Sequence, residues 1–152
     1  MNVFADEWDD PYDERDGWRA NHRRLGVGNL GLGLYELPPR QTQCAYHFHH
    51  GSDEALVVLR GRPTLRTPDG ERELETGDVA RFPTGPGGAH QIVNRTDEPV
   101  RYVIAAAHAD PEVVEHLDSG KVLAMAKSSG PLWAVHRLND NVDYIEGEEP
   151  RR

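Results

Sequence analysis

The stretch YHFHHGSDEALVVLRG, Tyr46–Gly61, carries three histidines within four residues, then a glutamate, then an apolar run. His47 and His49 stand two apart, and on a strand that spacing turns both side chains to the same face. The segment HGSD, 50–53, is a turn. Glu54 opens the next apolar run, where its carboxylate can fold back beside the two imidazoles, and Gly61 ends that run. His50 has the opposite parity from His49, which assigns it to the turn or the surface. A pocket-rim acid/base role is its alternative.

Outward from this stretch, residues 25–107 alternate short apolar runs with turn residues: LGLGLYELPP, CAYHFHH, EALVVLRG, VARFPTG, HQIVNRTDEP and VRYVIAAA. Short strands at a spacing close to ten residues indicate an all-β sandwich or barrel. TLRTPDGERELE is the clearest hairpin, with PDG as its turn. No helical period of useful length runs through the region.

A further imidazole, His90, follows the Pro/Gly-rich turn in GDVARFPTGPGGAHQIVN and falls on a third strand. A lone histidine is ordinarily a surface or satisfied polar residue, so it is the joint spacing that matters. Three imidazoles and a carboxylate converging inside a barrel form a nitrogen/oxygen site for a divalent first-row metal. Four protein ligands in octahedral geometry leave two positions for water, dioxygen or a bidentate substrate.

With these residues in view the chain resembles the cupin superfamily, whose first motif reads Gly-x5-His-x-His-x3,4-Glu-x6-Gly. His47, His49, Glu54 and Gly61 match it from the first histidine onward, with Gln41 where the motif has glycine. The second motif, Gly-x5-Pro-x-Gly-x2-His-x3-Asn, is met by Gly77, Pro83, Gly85, His90 and Asn94. Two extra residues lie between Pro83 and His90, giving a longer glycine-rich turn. The resemblance covers about residues 30–107. It implies a double-stranded β-helix (jelly-roll) barrel and one divalent transition metal (Fe, Mn, Ni or Zn) held by His47, His49, Glu54 and His90. It also implies a homodimer, as similar cupins are often dimers.

Flanking the barrel, residues 1–24 read as an acidic N-terminal arm with Trp8 and Trp18, either docked or frayed. Residues 25–137 form the barrel with a short C-terminal helical or irregular extension, and 138–152 an acidic tail. Asp110-Pro111 supplies an N-cap and a first-turn proline, so DPEVVEHLDSG is expected to make one or two helical turns. Cys44, Tyr46 and Phe48 have the parity opposite to His47: the cysteine as a small packed residue, the aromatics covered by the arm or a second subunit. His22, His108, His116 and His136 lack supporting spacing and are read as structural or exposed.

The chain has 152 residues, enough to bury a core without staples. A single cysteine excludes an internal disulfide framework and fits a reducing cytoplasm. No apolar run of membrane-spanning length occurs, and the acidic N-terminus lacks the features of a secretory signal. The net charge of −9 argues against nucleic acid as a partner. The pairs Arg23-Arg24 and Arg151-Arg152 are read as solvated.

A divalent ion beside one glutamate leaves a positive site, suited to an anionic or enolizable oxygen-rich small molecule. The leading expectation is therefore a metal-dependent cupin enzyme, dioxygenase- or isomerase-like. The alternative is a metal- or small-molecule-binding module without turnover. His50 and Tyr102 are the candidate general bases.

Overall fold

In the computed structural model, which describes residues 2–11 and 17–149, nearly all regular structure is antiparallel β. The strands are β1 (Asp10–Pro11), β2 (Asn21–Arg24), β3 (Leu30–Leu37), β4 (His47–His49), β5 (Glu54–Arg60), β6 (Thr64–Thr67) and β7 (Gly70–Glu73). They continue as β8 (Val79–Phe82), β9 (Gln91–Val93), β10 (Val100–Ala107), β11 (Glu112–His116), β12 (Lys121–Ala126) and β13 (Leu132–Arg137). A 3-10 turn, Pro86–Gly88, precedes His90.

One wall of the jelly roll is the sheet β1-β2-β3-β10-β5-β8. The opposite wall joins β13-β12-β11-β4 to β7-β6-β9 through His47 and His90, whose backbones exchange hydrogen bonds of 3.2 and 2.9 Å. Period-2 alternation sends Leu56, Val58, Ala80, Phe82, Tyr102 and Ile104 inward from the first wall. There they pack with Leu65, Leu74 and Ile92 from the region of the second. The core fills one end of the barrel, and the histidines stand toward the other.

Motif positions that are glycine in this chain explain themselves by backbone geometry. Gly61 and Gly77 adopt φ of 81° and 95°, which L side chains rarely tolerate. Where Gln41 replaces the family's glycine, the left-handed residue has moved one position back, to Arg40 at φ 63°. The longer turn before His90 closes with Gly88 against the carbonyl of Pro83, where any Cβ would collide with backbone.

Residues 110–120 do not form the expected helix. They run into β11, which pairs with β4 on one side and β12 on the other. The capping side chain is engaged elsewhere: the Asp110 carboxylate accepts hydrogen bonds from the backbone N–H groups of Lys127 and Ser128, 2.8 and 2.7 Å away. Val113-Val114 adds β-branched preference, and Glu112 and Val114 alternate with exposed Val113. The extension is thus a three-stranded meander, β11-β12-β13, that widens the second wall. Its last strand and the following tail leave Trp133, Val142, Tyr144 and Ile145 exposed.

The arm lies on the protein's own barrel. β1 pairs with β2 and β2 with β3, while Thr42 accepts Trp18 as a bridge partner. Beneath the arm sits Arg101, 3% exposed and on the outer face of β10. Its guanidinium donates to Glu36 at 2.9 and 2.6 Å, to Asp6 at 2.5 Å and to the carbonyl of Val3 at 3.2 Å. It also lies 5.0 Å from the centre of the Trp8 ring. Arg101→Leu is expected to cost about 3 kcal/mol, because Glu36 is left half-desolvated without its cation. Limited proteolysis should then cut within residues 2–9 before the barrel unfolds; an arm as protected as in wild type would contradict this role. Arg151 and Arg152, read as solvated, lie outside the described residues, as does part of the acidic arm.

Tyr46 and Phe48 are buried by the chain itself. Arg66 stacks 4.0 Å over the Tyr46 ring while paired with Asp118, and Phe48 lies 5.0 Å from the His50 ring.

Candidate functional site

His47 and His49 project from β4, Glu54 is the first residue of β5 on the facing wall, and His90 stands at the bridge to β4. One ligand atom from each of His47, His49 and Glu54 lies within 4.8 Å of the others. His90 joins them through Glu54: its Nε2 is 3.3 Å from Oε2, and the His49 Nε2 is 3.5 Å from the same oxygen. The rings of His47 and His90 are 4.6 Å apart.

Local hydrogen bonds aim the rings. His47 Nδ1 lies 2.8 Å from the Ala45 carbonyl and His90 Nδ1 2.9 Å from the Gly88 carbonyl. A carbonyl only accepts, so each Nδ1 carries a proton, and Nε2 is the ring nitrogen left to face the interior. Phe82 stacks on His90 at 3.8 Å and holds its plane. His49 is backed by Glu112, a buried carboxylate whose Oε2 is 3.5 Å from Nδ1. Glu112 is itself fixed by the N–H groups of Gly51 and Val113, both at 2.9 Å, and by the Ser52 hydroxyl.

Electrostatics keeps His47 neutral and Glu54 ionised. Burial, then the neighbouring charge of His90, pushes the His47 pKa down to about 4, so its imidazole is neutral at ordinary pH. Burial alone would raise Glu54, but the hydrogen bond from His90 and the positive potential of the histidines outweigh it and hold the carboxylate below its usual range. Glu112 is likewise held low, its hydrogen bonds from Ser52, Gly51 and Val113 overcoming burial.

These residues fit a divalent ion. The set offers neutral imidazole nitrogens and a carboxylate, the donors such ions take. Two ligands each about 2.1 Å from one ion lie about 3.0–3.4 Å apart, close to the 3.3 and 3.5 Å separations around Glu54 Oε2.

Other candidates sit elsewhere. His50 is on the outer face, 2.7 Å from Glu115. Tyr102 is fully buried in the core and donates its hydroxyl to Gln43 at 2.6 Å. It pairs with Val58, four residues along β10 from Ala106, the partner of Glu54, a separation of about 13 Å. Cys44 has its Sγ 3.7 Å from His47 Nδ1, and burial pushes its thiol up to about 12, leaving it neutral and unreactive. Sequence reasoning missed Glu112 and His116. His116 pairs with His47 across β4–β11, their rings 6.3 Å apart. The available signal was the alternation of Glu112, Val114 and His116, overridden by the helix-start signal just before it.

A cavity of about 510 Å³ runs from Glu54 along the inner face of the first wall to Tyr35, His22 and Arg24. A second, of about 660 Å³ and walled by Leu30, Ala55, Phe82 and Ala105 among others, also reaches Glu54.

Fold and site together define a double-stranded β-helix barrel with inward-facing histidines and a glutamate at one end. Residues 33–106 match the cupin domain family, and this part of the chain is a cupin domain. Among solved structures, a sugar phosphate isomerase from a cupin superfamily of Silicibacter pomeroyi is 29% identical, with a TM-score of 0.74, covering 82% of this chain and 79% of that one. A structure from Acidithiobacillus ferrooxidans, provisionally named a sugar phosphate isomerase, is 25% identical with a TM-score of 0.75, covering 84% and 81%. An uncharacterized protein of Methanocaldococcus jannaschii is 25% identical over 126 residues, 76% of this chain and 98% of its own.

Proposed function

We propose that the chain is a metal-dependent isomerase of a small oxygen-rich molecule, with phosphorylated sugars the first class to test. The observation that carries this reading is the convergence of His47, His49 and His90 on Glu54, with the Nδ1 atoms of His47 and His90 tied to backbone carbonyls. The likeness to the Silicibacter pomeroyi sugar phosphate isomerase favours isomerisation over oxygenase chemistry.

His47, His49, Glu54 and His90 would hold the ion. When bound, a divalent metal acts as a Lewis acid toward the substrate's carbonyl and hydroxyl oxygens. The Glu112 carboxylate faces the His49 ring at 3.5 Å, and Phe82 packs the His90 ring against movement and against water. Neutral His47 leaves the buried ligand set with fewer positive charges to desolvate.

Anaerobically purified protein should carry about one Fe, Mn, Ni or Zn per chain. Proton NMR in deuterium oxide should then show aldose–ketose interconversion with deuterium incorporation for a member of a panel of sugar phosphates. Oxygen uptake with β-diketones, enediols or flavonols and no isomerisation would replace this reading with a dioxygenase. Stoichiometric metal with neither reaction would point to a binding module.

A further inference from the structure

The polar cavity beside Glu54 has a directional chemistry that the metal site alone does not explain. Strand register lays out its floor. Glu54 pairs with Ala106 and Ala106 with Gly31, so the row leading away from the carboxylate ends in a methyl group and a hydrogen. In the adjoining row Ile104 pairs with Gly33 and Gly33 with Arg24, which places Arg24 on the same inner face. The glycines let two polar rings lie close against this floor. A Cβ at Gly31 would overlap the His108 imidazole, and one at Gly33 would come within 2.7 Å of the Tyr35 ring and 2.9 Å of its hydroxyl. Each polar ring therefore lies over a glycine.

Charge is segregated along this trough. Among the described residues Glu54 is the one acid lining it, at the end toward His47 and His49, whereas Arg24 and Lys127 line it together with His22 and His108. Two acids lie near the cations, and backbone amides already engage both: Asp9 accepts from the N–H of Arg24 at 2.7 Å, and Asp110 from that of Lys127 at 2.8 Å. Among the described residues, neither the Arg24 guanidinium nor the Lys127 ammonium forms an ion pair. Three strand spacings, about 14 Å, separate β5 from β2. A separation of that order is on the scale of a short sugar chain with a charged end.

We propose that Arg24 and Lys127 form an anion-binding pole for a terminal phosphate monoester, whose sugar hydroxyls lie between His108 and Tyr35 and whose carbonyl end meets Glu54 and the histidines. This rests on the isomerase reading for the placement of the carbonyl end, while the anion pole stands on the trough's own residues. Arginine forks a phosphate bidentately, and lysine adds a point charge.

The test is calorimetric titration of ribose 5-phosphate and glucose 6-phosphate into wild type, Arg24→Gln, Lys127→Gln, His47→Ala, and the His47→Ala/Arg24→Gln double variant, with metal content measured for each. At least one ester should bind wild type, and R24Q and K127Q should each weaken it about tenfold without changing metal content or Tm. His47→Ala should lose metal yet keep residual binding that Arg24→Gln lowers further. Equal affinity in wild type, R24Q and K127Q, or no binding of either ester to wild type, overturns the anion pole. Wild type without metal but with Arg24-dependent binding supports the pole and overturns only the metal-dependent reading.

Discussion

His47→Ala is expected to leave the purified protein with less than about a tenth of a metal ion per chain, where wild type is expected to hold about one. Removing a partner that merely orients a metal-bound histidine costs 10–100-fold in affinity. Removing a ligand itself should therefore cost at least about a hundredfold. The fold should survive, because His47 belongs to the open end of the barrel and not to the core built on Leu56, Val58 and Tyr102. Elemental analysis after anaerobic purification, with circular dichroism as the check on folding, reads both quantities. Metal retained at the wild-type level in a folded His47→Ala protein would remove the four-ligand site from consideration.

Asn94→Ala is expected to lose about 3–4 kcal/mol of stability, since several hydrogen bonds at a fully buried position fail together. The Asn94 amide shares its two hydrogens among the carbonyls of Leu37, Pro38 and Glu98, at 3.1, 3.0 and 2.8 Å. Its oxygen accepts from the N–H and hydroxyl of Thr96 at 2.9 and 2.7 Å. One side chain thus ties the end of β3 to the turn before β10. Asn94→Asp, nearly the same shape, should be worse, because it turns a donor into a carboxylate facing three carbonyl oxygens. Urea denaturation monitored by tryptophan fluorescence measures both, and an unfolding free energy for Asn94→Ala within about 0.5 kcal/mol of wild type would contradict this assignment. The last residue of the second motif therefore earns its place through structure, although it closes a motif otherwise concerned with His90.

Much of the site was legible because it depends on local geometry. The two-residue spacing of His47 and His49 determines their common face whatever the strand pairs with. The turn at 50–53 and the apolar run after it bring Glu54 back within a few residues of chain, and His90 is marked by its own turn and by Asn94 four residues later. The same parity correctly turned His50 outward, toward Glu115. Parity did not reveal that Tyr46 and Phe48, on that outer face, would be covered by Arg66, Ala89 and His50 of the same chain.

What the chain determined by itself was the all-β barrel and the aim of four side chains, because period-2 alternation and turn chemistry act over a few covalent bonds. Tertiary structure alone decided the rest. Asp110-Pro111 begins a helix by every local sign, yet the Asp110 carboxylate is captured by the backbone at Lys127 and Ser128. The segment is thereby free to run as β11 against β4, carrying Glu112 to His49 and His116 to His47. Arg24 likewise reaches the trough only because β2 pairs with β3 and β3 with β10. Strand pairing is made by backbone groups that every residue carries, so nothing in the side-chain sequence names the partner, and the long-range half of the site is settled only when the sheet closes.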